Sequence, residues 1–496
     1  MKSSACQLNS TGSATTYSLD RRFLLRLGLI CSTLVLFLII APNVFHWFAI
    51  PVTICGLLIT QDMLDWFGGR YDVFDPKGLF GLIGFYFFFL SPLLWVAIEA
   101  EMPYIYNPTD WRPWLGAMAI INVFGLVAYH LGQKWGFKRC KPLRESWEIC
   151  WPVFWVVVPL ILLFTLSAWL FFYFSSGGLS GLVIGQSQFF QKQALAGKGW
   201  LIMIGRSFPL IILMSVTLLG SRKEKHKSLL SIVLLLFAFF VLQLLFDGLR
   251  GSRSSVITSL FIAAGMIHYF WRPFSQKAVL VGLSLVLVFA FFYGFYKTVG
   301  TQVLDLLRGE VNIQTLVAKT GRGPEALLLG DLTRTQVQAF LLYRLSESAD
   351  PYSLQWGATY VGDSVILIPK TLWPDRLPSK VKAGTELMYG KDTYVPSVFQ
   401  STRVFGLGGE AMLNFHIFGI PIAYLIWGFL MGRYRAWISN WRDKDLRFVL
   451  APLFSFLLFS AAMSDFDNII VAFLFQGCIL AAAVILIARR RINISG

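Results

Sequence analysis

The sequence predicts an all-α polytopic membrane protein with about 12 transmembrane helices. Of its 496 residues, 56% are hydrophobic, and the mean hydropathy is +0.63. Only 14% are charged, whereas about a quarter of a soluble domain is charged. A spanning helix needs roughly 20 apolar residues, so twelve would occupy about half of this chain. The composition excludes a soluble enzyme, and it excludes extensive disorder because disordered chains are poorly hydrophobic.

Twelve apolar stretches account for this prediction, the second and eleventh being short or polar for a membrane span. They lie at 23–44, 46–63, 79–98, 114–132, 151–174, 200–220, 229–247, 254–270, 278–297, 405–432, 448–463 and 469–488. The predicted organisation is a disordered cytoplasmic tail at 1–20, transmembrane helices 1–9 at 21–297, a large extracytoplasmic loop at 298–402, transmembrane helices 10–12 at 403–490, and a cytoplasmic tail at 491–496.

Charge placement predicts the orientation. With the N-terminus inside, 24 of the 43 Lys and Arg residues fall in segments on the cytoplasmic side. The short outer loops contain only Arg112, Lys192, Lys198, Arg250 and Arg253. This asymmetry satisfies the positive-inside rule with both termini cytoplasmic. The formal net charge of +16 therefore records topology, and because the basic residues are not gathered on one domain, no nucleic-acid partner is predicted.

The long outer loop has helical patterning. Two groups of apolar residues each fit one helical face, namely Leu304, Leu307 and Val311, and then Val337, Phe340, Leu341 and Leu345. We expect two or three amphipathic helices lying on the outer leaflet, followed by an ordered loop with proline turns at 374, 378 and 396. A second outer loop at 175–199 is rich in Gly and Gln and is a candidate mobile lid.

Two arginines follow Asp247 in the tight turn between two apolar helices. Arg250 and Arg253 are separated by Gly251 and Ser252, and guanidinium groups match phosphate oxygens bidentately. The turn is therefore a candidate anion site. The alternatives are an ion pair with Asp247 or contact with lipid headgroups. Arg206 is expected either to reach the same anion as Arg250 or to form an interhelical ion pair.

A glycine-rich stretch opens the tenth predicted helix. It follows Arg403 and contains Glu410, and Asn414 is spaced i,i+4 from Glu410, so that both share a helical face. His416 points elsewhere and is typical of a helix–helix hydrogen bonder. The last outer turn carries Asp465-Phe466-Asp467. That D-x-D pattern holds a divalent metal in some sugar transferases, although helix capping explains it equally well.

Several familiar sites are missing. The sequence has no P-loop, no H-E-x-x-H, no G-x-S-x-G and no nucleotide-binding G-x-G-x-x-G. Its six cysteines include no C-x-x-C pair, so neither a zinc site nor a redox motif is indicated. We predict no metal and no cofactor.

One set of motifs resembles a known family. The runs are Gly357-Ala358-Thr359-Tyr360, then Ile368-Pro369-Lys370-Thr371-Leu372-Trp373-Pro374-Asp375-Arg376, then Gly406-Leu407-Gly408-Gly409-Glu410-Ala411 with Asn414-Phe415. With Gly251-Ser252-Arg253, they resemble the oligosaccharide repeat-unit polymerases (O-antigen polymerases, Wzy type) of bacterial surface polysaccharide pathways. The sequence departs from the family at His416, where a glycine is common, and at Asp465 and Asp467, where an arginine is expected.

The resemblance implies a GT-C-like glycosyltransferase of the bacterial cytoplasmic membrane. It would move a glycan from undecaprenyl pyrophosphate onto the next lipid-linked repeat unit, so donor, acceptor and membrane lipids are the implied partners, with a chain-length-regulating co-polymerase left open. The pyrophosphate needs cations, which Arg250, Arg253, Arg206, Arg403, Lys370 and Arg376 would supply. The acceptor hydroxyl needs a general base, with Glu410 the first choice and Asp465 the second, and Asn414 would bind substrate.

Two other functions fit the sequence. A ligase that moves finished glycan to another acceptor shares this site chemistry. A non-enzymatic flippase or transporter of lipid-linked oligosaccharide requires charged residues near the bilayer midplane, whereas these cluster near the outer ends of the helices.

Overall fold

The computed structural model is built almost entirely from helices. The structure describes residues 15–103, 105–138, 145–179, 182, 199–222, 228–300, 308–347, 352–365, 368, 373, 377, 379–395 and 403–492, with side chains from residue 22 to residue 491. The predicted lid residues 186–193, Leu304 and Leu307 lie outside these ranges, as do Lys370 and Arg376.

The first eleven helices form the N-terminal part of the bundle. They are α1 Thr15–Ile40, α2 Ala49–Phe67, α3 Pro76–Phe85, α4 Ser91–Ala97, α5 Arg112–Lys138, α6 Trp151–Ser175, α7 Gly199–Arg206, α8 Phe208–Ser221, α9 Leu229–Phe246, α10 Arg253–Phe270 and α11 Gln276–Val299. A π-helical turn, Tyr86–Leu90, joins α3 to α4.

The remaining helices lie in the long loop and in the C-terminal part of the bundle. They are α12 Ile313–Thr320, α13 Thr335–Glu347, α14 Ala358–Ser364, α15 Lys380–Tyr389, α16 Gly406–Phe415, α17 Gly419–Ile438, α18 Ala451–Ser460, α19 Phe466–Ala472 and α20 Cys478–Ile487. Two short strands, β1 Glu145–Ile149 and β2 Ala488–Ile492, pair antiparallel.

Nine helical segments in the described residues are long and apolar enough to cross a membrane. They are Arg22–Ile40, Pro76–Ala97, Arg112–Lys138, Trp151–Ser175, Gly199–Ser221, Leu229–Arg250, Gln276–Val299, Gly406–Ile438 and Phe466–Ile487. The predicted all-α polytopic membrane protein is therefore confirmed at this level. The other three predicted spans are helical too, as Ala49–Phe67, Arg253–Phe270 and Ala451–Met463, but they do not meet the same length and hydropathy.

Helices α5 and α17 make an extensive contact, and each helix contributes glycines to it. A Cβ at Gly428 would lie 2.2 Å from the Tyr129 carbonyl oxygen, and one at Gly136 would lie 2.2 Å from that of Phe429. Gly132 and Gly432 make equivalent approaches of 2.3 Å. Small residues four apart on each helix let two backbones come close, which is how membrane helices associate without a hydrophobic driving force.

The described residues between 308 and 395 pack onto one end of the bundle, which we call the loop end. In α13, Val337, Phe340 and Leu341 are buried as predicted, and Phe340 lies 6.5 Å from the ring of Trp111. The helix packs against α5 and α16. Ala339 and Leu342 on its other faces are buried as well, so protein covers more of this helix than its one predicted apolar face. Its place on the outer leaflet stays a prediction.

The opposite end of the bundle carries the two strands, and we call it the strand end. The Arg447 guanidinium pairs with the Asp445 carboxylate at 2.7 Å and donates to the Glu145 carbonyl. Arg435 pairs with Asp75 at 2.8 Å. The Arg435–Asp75 ion pair and the hydrogen bond from Arg447 to Glu145 connect segments far apart in sequence.

The predicted tenth span is interrupted at His416. Its φ of 57° and ψ of −162° are close to a region that only glycine enters easily, and the chain forms a 3-10 turn at His416–Phe418 before α17 begins. This conformation explains in physical terms why glycine suits this position.

Candidate functional site

A buried polar cluster joins α14 to α16 at the loop end. Thr359, Glu410 and Asn414 are each at most 1% exposed. The Asn414 amide donates to the Thr359 hydroxyl at 2.7 Å, and that hydroxyl donates to Glu410 Oε1 at 3.3 Å. Asn414 Oδ1 accepts the Gly357 N–H at 2.9 Å. The predicted shared face of Glu410 and Asn414 is thus where the loop segment G-A-T-Y docks.

Glu410 also contacts the last outer turn. Its Oε2 accepts the backbone N–H of Phe466 at 2.7 Å, at the first turn of α19. Each carboxylate oxygen therefore has one donor, and the Glu410 side chain connects three segments: α16, α14 and α19. The structure thus brings Glu410 and Asp465, the two predicted carboxylates, to one place.

Asp465 is held by Lys380 and by the start of α16. The Lys380 ammonium lies 2.5 Å from Asp465 Oδ2 and donates to the Arg403 carbonyl at 2.5 Å. Asp465 Oδ1 accepts the N–H groups of Phe405 and Gly406 at 2.7 and 2.9 Å. One oxygen of Asp465 thus lies at the N-terminus of α16, where the helix dipole favours a carboxylate, and the other contacts the Lys380 ammonium. This geometry favours Glu410 over Asp465 as a base.

Gly406 is required where α16 begins. Its φ is +71°, and a Cβ there would lie 2.8 Å from the Ala462 carbonyl oxygen. A side chain at this position would push the helix start away from the Asp465 carboxylate, which approaches the same backbone N–H. The glycine-rich run therefore lets α16 start directly against the turn 461–465.

Asp363 is a carboxylate of this cluster that sequence reasoning missed. It is fully buried, one turn after Thr359 on α14. Its Oδ1 accepts the backbone N–H of Lys380 at 3.4 Å, and its Oδ2 is buried and has no hydrogen-bond partner among the described residues. Burial, together with the charges of Asp467 and Asp465, raises the pKa of Asp363 to about 7. A base or acid with a pKa near neutrality is suited to proton transfer.

The two carboxylates of the D-x-D pair have different partners. Within the part of the chain that the structure describes, no group of three or more His, Cys, Asp and Glu side chains is placed to hold a metal ion. The Asp467 carboxylate accepts the N–H of Asn468 at 2.6 Å, while the Asp465 carboxylate binds Lys380. The helix-capping alternative is thus closer to the observed geometry, although the helix that Asp465 caps is α16.

Arg206 and Arg250 converge on one anion, and that anion is Asp247. The guanidinium of Arg206 lies 2.5 Å from Asp247 Oδ1, and that of Arg250 lies 3.0 Å from the same oxygen. Asp247 is fully buried. Arg206 also lies 4.7 Å from the ring centroid of Phe475. Two arginines therefore share one buried carboxylate.

Arg253 faces a different anion. Its guanidinium binds both carboxylate oxygens of Asp331, one of them at 2.6 Å. Asp331 ends the π-helical segment Ala326–Asp331 in the loop, and Arg322 lies 3.9 Å from it. Arg250 and Arg253 thus pair with different carboxylates, because the 3-10 turn Gly248–Arg250 and the left-handed Gly251 direct the two side chains to different partners. For Arg250 this is the Asp247 ion pair that was the predicted alternative to an anion site.

Arg334 lies against the backbone of the turn that contains Asp331. Its Nη1 donates to the carbonyls of Gly330, Asp331 and Thr333 at 2.6–3.1 Å, and its buried Nε has no hydrogen-bond partner in the part of the chain that the structure describes. Burial lowers the pKa of Arg334, and the charges that act on it include Asp465 as well as Asp331 and Arg253. Arg334 therefore connects the two charged groups electrostatically.

The other predicted cations are less central. Arg403 donates to the Pro103 carbonyl at 2.8 Å and supplies its own carbonyl to Lys380. Lys370 and Arg376 lie outside the described residues.

The residues that sequence reasoning missed are Lys380, Asp363, Asp331 and Arg334. Only Asp363 has a local signal, since it follows Thr359 at i,i+4. Comparison of the chain with protein-family models, with curated proteins and with solved structures found no match to any of them.

Proposed function

We propose that this protein polymerises lipid-pyrophosphate-linked oligosaccharide repeat units at the outer face of the bacterial cytoplasmic membrane. The observation that carries the proposal is the pairing of two charged groups at the loop end. One is the buried carboxylate cluster of Glu410 and Asp363. The other is the cationic group around Arg253. Arg334 interacts electrostatically with Arg253, Asp331 and Asp465, and Asp465 in turn lies within electrostatic range of Glu410.

Glycosyl transfer from a pyrophosphate requires both groups. As the acceptor hydroxyl attacks the anomeric carbon and the bond to the phosphate oxygen breaks, negative charge develops on the leaving group. Arginines preorganised at that oxygen stabilise the charge. The proton of the hydroxyl passes to a carboxylate, for which we propose Glu410, with Asp363 next to it. Asp465 then keeps Lys380 and α16 in place.

The motif resemblance to O-antigen polymerases supports the same conclusion. The G-A-T-Y run and the G-x-x-x-E-A-x-x-N-F run (Gly406 to Phe415), which belong to separate segments of the sequence, meet through Thr359, Glu410 and Asn414. In this proposal the fold is GT-C-like with twelve spans. The loop end faces outward and the strand end, with both chain termini, faces the cytoplasm.

Reconstitution tests the proposal. The purified chain in vesicles, supplied with an undecaprenyl-pyrophosphate-linked repeat unit, is expected to produce a ladder of longer lipid-linked products. Glu410→Gln is expected to lose at least 100-fold in rate, because general acid–base catalysis contributes about 10²–10⁴-fold. Glu101→Gln, an exposed carboxylate in the nearby 98–111 connection, is the matched control and keeps the wild-type rate.

The result also separates the alternatives. A ligase transfers one glycan to a different acceptor and gives no ladder from the repeat unit alone. A flippase moves the lipid-linked unit across the vesicle membrane with no bond formed. Normal ladder formation by Glu410→Gln would contradict the role of Glu410, and absence of any ladder from the folded wild-type protein would contradict the polymerase.

A further inference from the structure

Four cations from four separate segments surround Asp331. Arg253 begins α10 and holds both Asp331 oxygens. Arg322 follows α12 and lies 3.9 Å from the carboxylate. Lys297, near the end of α11, lies within electrostatic range of Arg253, Arg322 and Asp331. Arg334 contacts the backbone of the Asp331 turn itself.

The charges of this group do not balance. Among the described residues, Arg253 and Arg322 pair with Asp331, and Lys297 also interacts with it electrostatically. Arg334 is influenced by Asp465 as well as by Asp331, but Asp465 is already paired with Lys380, so positive charge remains in excess around Asp331. One guanidinium would be enough for a structural ion pair, and additional like charges at short range cost free energy. Arg334 adds to the imbalance, because in the described part of the chain no carboxylate forms an ion pair with it. An excess of this size fits an anion that carries more charge than a carboxylate.

The contact between Arg253 and Asp331 has the geometry of phosphate recognition. Two parallel N–H···O bonds from one guanidinium are the arrangement with which arginine binds either a carboxylate or a phosphate. Both side chains are about one quarter exposed, so an anion can approach the pair from outside. The start of α10 adds the positive end of an 18-residue helix at the same place.

We propose that Arg253, Arg322, Arg334 and Lys297 form a diphosphate-binding site. In this structure, the carboxylate of Asp331 occupies the position that a substrate phosphate takes when it binds. The inference rests on the proposed function, since the diphosphate is that of a lipid-linked glycan. When the diphosphate binds, it displaces Asp331 from Arg253 and engages the remaining cations. Because Asp331 competes with the ligand, it lowers the affinity of the site and releases the π-helical segment 326–331 when the substrate arrives.

Inorganic diphosphate is the probe. Its affinity for the full chain, in nanodiscs of zwitterionic lipid at fixed ionic strength, is measured by calorimetry. Asp331→Asn removes the internal competitor and is expected to bind diphosphate at least ten-fold more tightly than the wild type. Asp110→Asn is the matched control, because Asp110 forms a similar bidentate pair with Arg112 and no second ion pair among the described residues. Its affinity should match the wild type.

A second variant covers the case in which Asp331→Asn does not fold. Arg322→Gln leaves the Arg253–Asp331 pair intact and is expected to weaken diphosphate binding at least five-fold. Unchanged or weaker binding by folded Asp331→Asn, or unchanged binding by Arg322→Gln, would overturn the inference and leave Asp331 a structural partner. Phosphatidylglycerol in the nanodiscs should not compete. Competition would assign the site to lipid headgroups and equally overturn it.

The measurement of diphosphate affinity is independent of the polymerisation assay. If Asp331→Asn binds diphosphate more tightly but the wild type forms no ladder, the polymerase proposal fails and the site remains. If the ladder forms but Asp331→Asn does not change the diphosphate affinity, only the inference about Asp331 fails.

Discussion

Among the residues of the loop end, Lys380 is the one whose substitution we expect to lower stability most. It is fully buried, its ammonium contacts Asp465 and the Arg403 carbonyl, and it lies 3.7 Å from the ring centroid of Phe405. Removing one partner of a buried ion pair leaves the other charge uncompensated, which costs about 3–5 kcal/mol. Lys380→Met is therefore expected to lower the thermal unfolding temperature in detergent strongly.

Two further variants make the interpretation of Lys380→Met specific. Lys382→Met, two residues away on the same helix but exposed, should unfold like the wild type. Adding Asp465→Asn to Lys380→Met should recover part of the lost stability, because it removes the unpaired charge. An unfolding temperature of Lys380→Met equal to that of Lys382→Met would show that the pair contributes nothing.

Asp363 should make stability depend on pH. Burial and the neighbouring charges of Asp467 and Asp465 raise its pKa to about 7, whereas an unfolded aspartate has a pKa of about 3.9. Between these values the folded protein keeps a proton that the unfolded chain has released. Raising the pH through this range therefore lowers the free energy of unfolding, and the loss is complete above about pH 7.

The corresponding measurement is thermal unfolding of wild type and Asp363→Asn between pH 5 and pH 8. The stability of Asp363→Asn relative to wild type should rise between pH 5 and pH 8, by at most about 3 kcal/mol, because pH 5 lies roughly two units below the folded pKa of about 7 and one unit corresponds to about 1.4 kcal/mol. Asp392→Asn, at an exposed left-handed turn position that asparagine accepts, should follow the wild type at every pH. A constant difference between Asp363→Asn and wild type would contradict a raised pKa.

At the scale of elements, the contact of α5 with α17 sets how closely the bundle packs. Gly428 leaves no room for a Cβ, which would lie 2.2 Å from the Tyr129 carbonyl oxygen. Backbone atoms cannot rotate away as a side chain can, so Gly428→Ala must separate the two helices. Overpacking of this kind typically costs 1–3 kcal/mol, and we expect the unfolding temperature to fall.

Gly282→Ala is the control for that substitution. Gly282 lies within α11, and a Cβ added there would have no atom of a neighbouring segment within 4 Å among the described residues. Alanine is the better helix former by about 1 kcal/mol, so Gly282→Ala should be neutral or slightly stabilising. Equal unfolding temperatures for the two variants would show that the α5–α17 contact has room to relax.

The sequence predicts where helices form better than it predicts which segments pack against them. The periodicity of Val337, Phe340 and Leu341 predicts α13 and its buried face, but periodicity does not say whether lipid or protein covers that face. Here α5 and α16 cover it. Likewise, the i,i+4 spacing of Glu410 and Asn414 predicts a shared face, whereas the Thr359 hydroxyl between them comes from a segment about 50 residues earlier.

At the scale of the whole molecule, the amino-acid composition predicts the class of protein, but it does not predict the ion pairs that hold the candidate site together. The low charge content indicates a polytopic membrane protein, and nine apolar helices in the described residues agree. The partners Lys380 and Asp465 lie 85 residues apart, and Arg253 and Asp331 lie 78 apart. A single sequence contains no local pattern that joins such pairs, because the interaction exists only after the loop has packed on the bundle.

The orientation of the whole molecule can be tested with two cysteines. The positive-inside rule assigns the strand end to the cytoplasm, because 24 of the 43 Lys and Arg residues lie in segments on that side of the predicted topology.

Two exposed residues mark the two ends of the molecule. Lys391 lies at the loop end, and Asp443 lies in the 439–445 turn before α18. In intact cells, a membrane-impermeant maleimide should label Lys391→Cys, whereas Asp443→Cys should be labelled only after the membrane is opened. The wild-type chain measures labelling of the native cysteines, and labelling of Asp443→Cys alone in intact cells would reverse the assignment. Since the proposed donor is used at the outer face, that reversal would also place the Glu410 cluster on the wrong side for the proposed reaction.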